Sequence, residues 1–381
     1  MQKIVFMINS LGGGGAERVV TTLLNQFVET YECYLIIFEN EFSYELDKRV
    51  KIISLYQNKN ENNFYKLIKL PILSYKLYKI IKKYKFNQIV SFLYRANYVN
   101  ILCKPFSKHR VIISERIAPS SMYSNNTLSS MISKFLIKKL YNKACIIISV
   151  SKAIKEDLIK NFNIRTKQIV IYNPYDINHI ILLSKENIKT PIQKKSIITV
   201  GSLSKRKNHQ LLIKAFSNIK DKDYKLYIIG EGEEKSNLIK LIKELKITDK
   251  VIFLGFDNNP YKYLSKSEIF ILSSNSEGFP NALVESMICK CCVISTDCLS
   301  GPREILEPDK KFDFQLKNKI ELAEYGILTP INDEQKLTEA INTLIEQKSL
   351  INMYKEKSIQ RVKDFDISKI VIQYKKIICS Q

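Results

Sequence analysis

Residues 273–306, SSNSEGFPNALVESMICKCCVISTDCLSGPREIL, decide the fold class of this chain. An apolar run at 269–272 comes before them and another lies at 291–295, and each run is typical of a buried strand. Between the two runs, Pro280 can begin a helix at or near its own position, because its fixed φ suits a first helical turn. A strand, a helix and a second strand form a βαβ unit, which predicts a parallel sheet in an α/β protein.

Two acidic residues, Glu277 and Glu285, stand on either side of this helix start. A helix that starts at the carboxyl end of a strand offers free N–H groups and the positive end of its dipole, so it suits a phosphate. Carboxylates would repel that phosphate, and we therefore expect both to face sugar hydroxyls. The stretch predicts a site for a ligand that is part phosphate and part sugar; two exposed acids without a ligand are the alternative.

The segment EGFPNALVE, followed by STD and GPREIL, resembles the family 4 retaining glycosyltransferases of the GT-B fold. Three other blocks resemble this family in the same order: residues 1–20, residues 200–216 (VGSLSKRKNHQLLIKAF) and residues 228–256, which contain IIGEGEE and VIFLGF. The resemblance implies an α/β protein of two Rossmann-like, doubly wound parallel-sheet domains that face each other across a cleft. It also implies that the second domain holds a nucleotide sugar and the first holds the acceptor.

The domain limits follow from strand-like runs that alternate with helical patterns. We expect a first domain at 1–178, a polar linker from Asn173 to about residue 195, and a second domain at 195–365. The resemblance implies that the last helix, 366–381, packs back on the first domain. The predicted strands lie at 3–8, 34–38, 50–54, 88–92, 111–114, 145–150, 168–172, 196–200, 224–229, 251–254, 269–272, 291–295 and 325–328.

Length and composition are those of a globular protein. The chain has 381 residues, enough for two cores, with 45% apolar and 26% charged residues. No apolar run approaches the roughly 18 residues of a membrane-spanning helix, and the first residues do not form a signal-peptide pattern. The eight cysteines lack the spacing of a disulfide framework, so we expect a cytoplasmic protein.

The formal net charge of +22 is unevenly distributed. Residues 1–178 contain 27 Lys and Arg against 12 Asp and Glu, whereas the remainder contains 33 against 26. A basic balance permits nucleic acid, an anionic membrane or a polyanionic substrate as a partner. The alternative is that the genome encodes many lysines on every protein surface, so that the positive charge indicates no particular partner.

Two basic helical patterns lie in this first half. Residues 64–85 contain seven lysines, four tyrosines and no acid, and residues 128–143 repeat the mixture. In the first pattern an apolar stripe follows Pro71, at Leu73, Leu77, Ile80, Ile81 and Tyr84. Basic helices with aromatic residues suit the surface of an anionic bilayer. An ordinary outer helix, with its stripe on the sheet and its lysines in water, is the other interpretation.

The first domain contributes two candidate groups on the acceptor side. Residues 10–15 are a glycine loop between a strand and a helix, and the resemblance matches Gly14, Gly15 and Glu17 to a GGxE pattern near the donor phosphate and the acceptor. A plain tight turn is the alternative. In many relatives a histidine stands where Arg116 stands here. Arg116 either holds the acceptor's phosphate or hydroxyls, or pairs with Glu115 or another acid.

A cationic loop at 201–208 opens the second domain. The resemblance matches Lys207 to the lysine that holds the donor diphosphate, whereas the usual arginine position is occupied by Ser202. Arg206 either supplies the second positive charge from the loop or is solvated. The reaction needs cations because the leaving diphosphate gains charge as the glycosidic bond breaks.

The resemblance implies roles for the remaining residues of the donor site. Glu277 would lie close to the transferred sugar, and Glu285 would bind the ribose hydroxyls. Gly255 and Phe256 would lie near the nucleotide base. The turn and the first helical amides would complete the donor site, and these residues are Gly278, Phe279, Pro280, Asn281, Ala282 and Leu283.

No metal or cofactor is expected. The cysteines at 289, 291 and 292 are far in sequence from the three histidines at 109, 179 and 209, and zinc needs four well-placed ligands. Asp221 and Asp223 lie in a polar turn, where solvated loop acids are expected. The nucleotide sugar is a substrate, and Lys207 with its neighbours takes the place of a divalent ion.

The resemblance implies a retaining, metal-independent glycosyltransferase that moves a sugar from a UDP- or GDP-type donor to a hydroxyl of a growing glycan. The resemblance implies a role in bacterial surface polysaccharide, with a glycan or a polyprenyl-diphosphate-linked acceptor. An anionic membrane would then be a partner on its inner face. Nucleic acid is not expected as a partner, although a basic nucleic-acid-binding protein is the alternative that the charge alone supports. A nicotinamide-dependent dehydrogenase is disfavoured because no G-x-G-x-x-G is present.

Overall fold

The computed structural model of the chain describes residues 1–55, 63–124, 127–312 and 314–379, with the side chains of residues 63 and 64 excepted. The chain forms two compact units, Met1–Pro174 with Ser368–Gln381, and Tyr175–Ile367. Residues 380 and 381, the end of the predicted last helix, lie outside the described residues. The predicted limits at 178, 195 and 365 stay predictions.

Unit 1 contains a parallel sheet in the order β3-β2-β1-β4-β5-β6-β7. Its strands are β1 (Lys3–Ile8), β2 (Glu32–Ile37), β3 (Lys51–Ser54), β4 (Gln88–Phe92), β5 (Arg110–Glu115), β6 (Ile146–Ser149) and β7 (Gln168–Val170). Its helices are α1 (Gly15–Phe27), α2 (Asn63–Ile68), α3 (Leu70–Tyr84), α4 (Tyr94–Ser107), α5 (Pro119–Met122), α6 (Leu128–Leu140) and α7 (Lys152–Phe162), with a 3-10 turn at Tyr141–Lys143. The strand order reverses at β1, whose carboxyl end leads into the glycine loop. In open α/β sheets, ligands bind at such a reversal.

Unit 2 repeats this plan in the order β10-β9-β8-β11-β12-β14-β13. Its strands are β8 (Ser196–Val200), β9 (Lys225–Ile229), β10 (Val251–Gly255), β11 (Ile269–Leu272), β12 (Cys292–Thr296), β13 (Glu321–Ala323) and β14 (Gly326–Thr329). Its helices are α8 (Ile177–Leu183), α9 (His209–Ser217), α10 (Lys235–Glu244), α11 (Tyr261–Leu264), α12 (Asn281–Ile288), α13 (Pro302–Leu306), α14 (Glu334–Glu346) and α15 (Lys348–Val362). A 3-10 turn at Lys363–Phe365 leads into α16 (Ile367–Ile378). The reversal falls at β8, which precedes the cationic loop.

The predicted α/β class with two doubly wound parallel sheets is confirmed. Local signals also fall where expected, because Ser151 caps α7 by accepting the Ile154 N–H, and α12 begins directly after Pro280. The last helix lies in unit 1, where the Gln88 side chain donates to the Ile378 carbonyl oxygen at 2.6 Å.

Three features of the structure add to what the sequence patterns indicated. The predicted linker contains α8, which Asp176 caps by accepting the His179 N–H. The sheet of unit 2 ends in β13, an antiparallel edge strand that the pattern at 325–328 did not indicate. Of the two interpretations of the apolar stripe on the first basic helix, the burial of Leu73, Leu77 and Ile81 in the core of unit 1 favours an ordinary outer helix for that stripe.

Two glycine loops approach each other closely at the carboxyl edge of the second sheet. Gly230 has a φ of +145°, and a Cβ placed on it would lie 1.9 Å from the carbonyl oxygen of Gly201. A side chain is therefore excluded both by the backbone conformation and by space. The Gly201 N–H donates to the Ile229 carbonyl oxygen at 3.0 Å, which holds the start of the cationic loop beside β9.

Candidate active site

The cationic loop of unit 2 is held against the loop that follows β11. The Asn275 N–H donates to the Arg206 carbonyl oxygen at 2.8 Å, and the Ser273 hydroxyl donates to the Lys207 carbonyl oxygen at 3.0 Å. Asn208 adopts the left-handed conformation, with a φ of +49°, and caps α9 by accepting the Leu211 N–H. These contacts fix the backbone of residues 206 to 208, so the directions of their side chains are set by the fold.

An ion triad is the centre of this arrangement. Glu277 Oε1 lies 2.6 Å from Lys207 Nζ, and Glu277 Oε2 lies 3.1 Å from Arg206 Nη1. The Lys207 side chain is 13% exposed and that of Arg206 is 44% exposed, while Glu277 is buried. Burial alone would raise the pKa of Glu277, but the charges of Lys207 and Arg206 hold it below its ordinary value. The Glu277 carboxylate therefore bridges the two cations at the carboxyl edge of the sheet.

The turn before α12 is packed against the start of α13. Gly301 has a φ of +91°, and a Cβ on it would lie 2.6 Å from Pro280 Cδ and 2.8 Å from the Gly278 carbonyl oxygen. The Ser300 hydroxyl donates to the Glu277 carbonyl oxygen at 2.5 Å. The Gly-Pro of GPREIL thus positions the GFP turn, and the Phe279 ring packs edge-on against Phe365 with 5.2 Å between centroids.

Glu285 lies within α12 and has different partners from Glu277, which precedes the helix. Glu285 is buried, and its Oε1 accepts a hydrogen bond from the Tyr261 hydroxyl at 3.4 Å. The Asn281 side chain accepts from the Tyr175 hydroxyl at 2.8 Å. The Leu283 N–H already donates to the Pro280 carbonyl oxygen at 3.2 Å. Sequence reasoning missed both tyrosines, because no local pattern relates them to α12.

The other predicted donor residues lie on neighbouring loops. Ser202 is exposed, with its hydroxyl 3.4 Å from that of Ser204, so it supplies no cation where the usual arginine would stand. Gly255 has a φ of +73°, and its carbonyl oxygen accepts the Gly230 N–H at 2.8 Å. Phe256 follows with its side chain 65% exposed. A large exposed aromatic ring at the carboxyl edge of a sheet is available to a ligand.

The residues of unit 1 that were predicted for the acceptor side lie around the glycine loop. The carboxylate of Glu17 folds over Gly14, where a Cβ would lie 2.3 Å from Glu17 Oε2. Burial raises the pKa of Glu17, while the charge of Arg116 opposes that rise. Arg116 is buried and donates to the Asn173 side chain. Glu115 Oε1 accepts the main-chain N–H of Arg116 at 3.1 Å.

Glu115 ends a buried polar network that the sequence did not suggest. Glu115 Oε2 accepts from the Tyr141 hydroxyl at 2.5 Å, and the Asn97 amide donates to that hydroxyl at 3.3 Å. Asn97 continues through Ser91 and Asn100 to His109, whose Nε2 lies 2.7 Å from Asn100 Oδ1. Each of these side chains is buried, and Asn97 and Asn100 belong to α4 itself. The network anchors the end of β5 directly before Arg116.

The Glu115 carboxyl is expected to make the stability of the protein depend on pH. Burial raises its pKa to about 7, despite the hydrogen bonds from Tyr141 and from the main chain at Arg116 and Ile117. The folded protein then binds the proton more tightly than the unfolded chain, so the associated stability is present below about pH 4.5 and is lost as the pH rises through about 7. The change amounts to at most about 3 kcal/mol.

Thermal unfolding of the wild-type protein and of Glu115→Gln at about pH 5 and about pH 8 measures this effect. The stability difference, wild type minus variant, should fall as the pH rises. Glu156→Gln, an acid on α7 paired with Lys160, is the control and should show a constant difference. A constant difference for Glu115→Gln as well would contradict the prediction.

Among the described residues, no group of three or more His, Cys, Asp or Glu side chains could hold a metal ion. The thiols of Cys289, Cys291 and Cys292 are buried, and burial raises their pKa values well above the ordinary value for cysteine. Within the same residues, no helix has both the length and the apolar character needed to cross a bilayer.

Comparisons with known proteins account for both units. Residues 13–179 match the profile described as Glycosyltransferase Family 4, and residues 183–361 match that of Glycosyl transferases group 1. A relative from Campylobacter jejuni subsp. jejuni is 40% identical over 97% of both chains. It is named N-acetylgalactosamine-N,N'-diacetylbacillosaminyl-diphospho-undecaprenol 4-alpha-N-acetylgalactosaminyltransferase.

Solved structures support the fold. Sucrose-phosphate synthase from Thermosynechococcus elongatus has a TM-score of 0.82 at 16% identity, covering 99% of this chain and 98% of that one. HepE from Anabaena, in complex with UDP, has a TM-score of 0.76 at 18% identity, with 100% of both chains covered. At these identities the likeness concerns the arrangement of strands and helices.

Proposed function

The chain belongs to the family 4 glycosyltransferases, and from that premise we propose that it transfers a sugar from a nucleotide-sugar donor to a lipid-linked glycan. The observation that carries the donor half is the ion triad of Lys207, Arg206 and Glu277 at the carboxyl edge of the second sheet. Two cations that are already ordered can neutralise a diphosphate without reorganisation during the reaction.

In this proposal Lys207 and Arg206 hold the donor diphosphate as the glycosidic bond breaks. Arg206 supplies the charge that the usual arginine would bring, because Ser202 has none. Glu277 fixes both cations and lies beside the transferred sugar, and Glu285 binds the ribose hydroxyls next to Tyr261. The GFP turn and the amides of 281–283 line the phosphate, and Gly255 with Phe256 lies at the base.

The reaction is proposed to retain the anomeric configuration. Within the described part of the site, the acids are held by cations or buried hydroxyls, and we assign none of them as a nucleophile. The leaving phosphate then takes the proton of the acceptor hydroxyl while Lys207 stabilises the charge on the departing oxygen. Gly14, Gly15, Glu17 and Arg116 are assigned to the acceptor side.

The acceptor is proposed to be a polyprenyl-diphosphate-linked oligosaccharide. The support is the Campylobacter relative, whose name describes transfer of N-acetylgalactosamine to a diphospho-undecaprenol-linked sugar. A lipid-linked acceptor places the enzyme at the inner face of an anionic membrane as a peripheral protein, which agrees with the basic first half of the chain. N-Acetylgalactosamine is accordingly the first donor sugar to test.

A nucleotide-sugar series tests the donor assignment. The thermal midpoint should rise by several degrees with saturating UDP-sugars, because a ligand that binds only the folded state stabilises it by mass action. UDP heads the series because HepE was solved with it, and GDP-sugars, NADH and a DNA duplex are the comparison ligands. Stabilisation by NADH or DNA without any by nucleotide sugars would overturn the proposal.

Transfer itself is tested with radiolabelled UDP-N-acetylgalactosamine and polyprenyl-diphosphate-linked sugars of increasing length. Labelled lipid-linked product, insensitive to a metal chelator, is expected. Hydrolysis of the donor without labelled lipid would contradict the acceptor assignment while leaving the donor assignment intact.

A further inference from the structure

The first turns of helix α6 have an exposed apolar side and serines on the buried side, whereas Ile137 and Leu140 in its later turns are buried as in an ordinary surface helix. Ser130 and Ser133 lie on its buried face, where the Tyr98 hydroxyl donates to the Ser133 carbonyl oxygen at 3.2 Å. Leu128, Met131 and Phe135 lie on the outer face and are 58% to 65% exposed. Their spacing of three and four residues places them on one stripe. A soluble helix gains stability by burying such a stripe. In the isolated chain these three side chains are exposed to solvent instead.

A second exposed row runs along α2 and α3. Tyr65, Ile68, Ile72 and Tyr75 are 57% to 60% exposed, and their spacing is again that of one helix face. The row is continuous across the break at Lys69, because the Lys69 N–H donates to Tyr65 and the Leu73 N–H donates to Lys69. The core-facing stripe of α3 is a different one, at Leu73, Leu77 and Ile81.

Both rows lie on the same face of unit 1. Right-handed crossovers that step in one direction along a sheet put their helices on one face, and α3, α4 and α6 are such helices. Helix α4 contacts both neighbours, through Phe106 with the Tyr78 ring at 6.5 Å and through Tyr98 with Ser133. Because a helix after a parallel strand starts at the carboxyl edge, the two rows begin at the edge that bears Glu17 and Arg116.

The segments that carry the two rows contain lysines and no acid, and Lys66 on α2 pairs with Glu39 from outside them at 3.3 Å. Residues 63–85 and 127–143 contain no Asp or Glu. Lys79 lies over the Tyr75 ring at 4.8 Å from its centroid, and Lys139 lies over Phe135 at 5.9 Å. Long basic side chains beside apolar ones are typical of helices that lie in the headgroup region, because the stem is buried while the amine reaches lipid phosphate.

We propose that these two rows, at 65–75 on α2 and α3 and at 128–135 on α6, insert into the acyl boundary of an anionic bilayer. The choice of occupant rests on the proposed function, since a polyprenyl acceptor is presented at such a surface. Charge complementarity supports a membrane. Tyr65, Tyr75 and Phe135 could stack on bases, but the Leu, Ile and Met side chains between them are poor stacking platforms for nucleic acid. The anionic surface attracts the lysines, and the inserted apolar side chains then hold the protein at the membrane.

The dependence of vesicle binding on salt distinguishes insertion of the apolar rows from attraction by charge alone. Raising the salt from about 0.1 M to about 1 M shortens the Debye length from about 10 Å to about 3 Å and weakens the lysine contribution. Wild-type protein should therefore keep part of its affinity for phosphatidylglycerol vesicles at high salt. Leu128→Ser/Met131→Ser/Phe135→Ser should lose at least about 10-fold in vesicle affinity at both salt concentrations.

Matched variants complete the experiment. Leu182→Ser/Ile239→Ser/Leu322→Ser removes three exposed apolar side chains of unit 2 and should bind vesicles like wild type. Replacing Lys76, Lys79, Lys82 and Lys83 by serine should weaken binding at low salt and have little effect at high salt. Unchanged vesicle affinity of the α6 variant would overturn the proposal, and so would binding to DNA or self-association that the same variant abolishes.

Measurements of donor binding distinguish failure of the membrane proposal from failure of the proposed function. The α6 variant should retain thermal stabilisation by the donor and transfer to a short, water-soluble diphosphate acceptor, because its substitutions lie on the outer face of α6. If vesicle binding is lost while this transfer persists, the surface assignment holds. If donor stabilisation is absent in the wild type as well, the proposed function fails independently of the vesicle result.

Discussion

Replacing Glu277 by glutamine is expected to lower the turnover number of sugar transfer at least about 100-fold. The carboxylate contacts Lys207 at 2.6 Å and Arg206 at 3.1 Å, and an amide of the same size cannot balance their charge. Both cations would then be free to adopt other positions. The bound diphosphate would no longer contact them in the geometry that the reaction needs. Initial rates at saturating donor, compared between the two proteins, measure the effect.

The same substitution also affects stability, so folding must be measured in parallel. Removing one partner of a buried ion pair costs about 3–5 kcal/mol, which should lower the thermal midpoint. Glu231→Gln is the control, because Glu231 is an exposed acid on the loop after β9 that pairs with Lys235. A folded Glu277→Gln protein with a turnover number within about twofold of wild type would refute the assignment.

Lys207→Ala is expected to reduce the turnover number by about 100- to 1,000-fold. Lys207 is the more buried of the two cations, and its charge acts in a site from which water is partly excluded. The diphosphate leaving group would lose this stabilisation in the transition state, where its charge is largest. The loss should therefore appear mainly in kcat and less in KM for the donor.

Neighbouring cations give a graded comparison. Lys205→Ala, in the same loop and exposed, should change the rate little. The rate loss of Arg206→Ala should lie between those of Lys205→Ala and Lys207→Ala, at about 10-fold. The Arg206 side chain is more exposed than that of Lys207, and water screens its interaction. Equal losses for Lys205→Ala and Lys207→Ala would show that the loop acts through its total charge, which contradicts the diphosphate assignment.

Local patterns accounted for the parts of the fold that depend on neighbours in sequence. The apolar runs at 88–92 and 269–272 became β4 and β11 at the predicted limits, and Ser151 and Pro280 mark helix starts because a cap or a fixed φ acts within one turn. Short elements that depend on packing were missed, such as α8 within the polar linker and β13 at the edge of the second sheet.

The sequence by itself determined the class of the protein, two parallel sheets with a polar loop at each reversal of strand order, because hydrophobic periodicity and glycine spacing are local properties. It also indicated Glu277 and Lys207, through a motif and not through a contact. The tertiary structure alone decided that these residues, 70 positions apart, meet at 2.6 Å with Arg206 beside them. It likewise decided which face of each basic helix is buried. Both outcomes depend on packing between elements distant along the chain, and periodicity within one element carries no information about its partner.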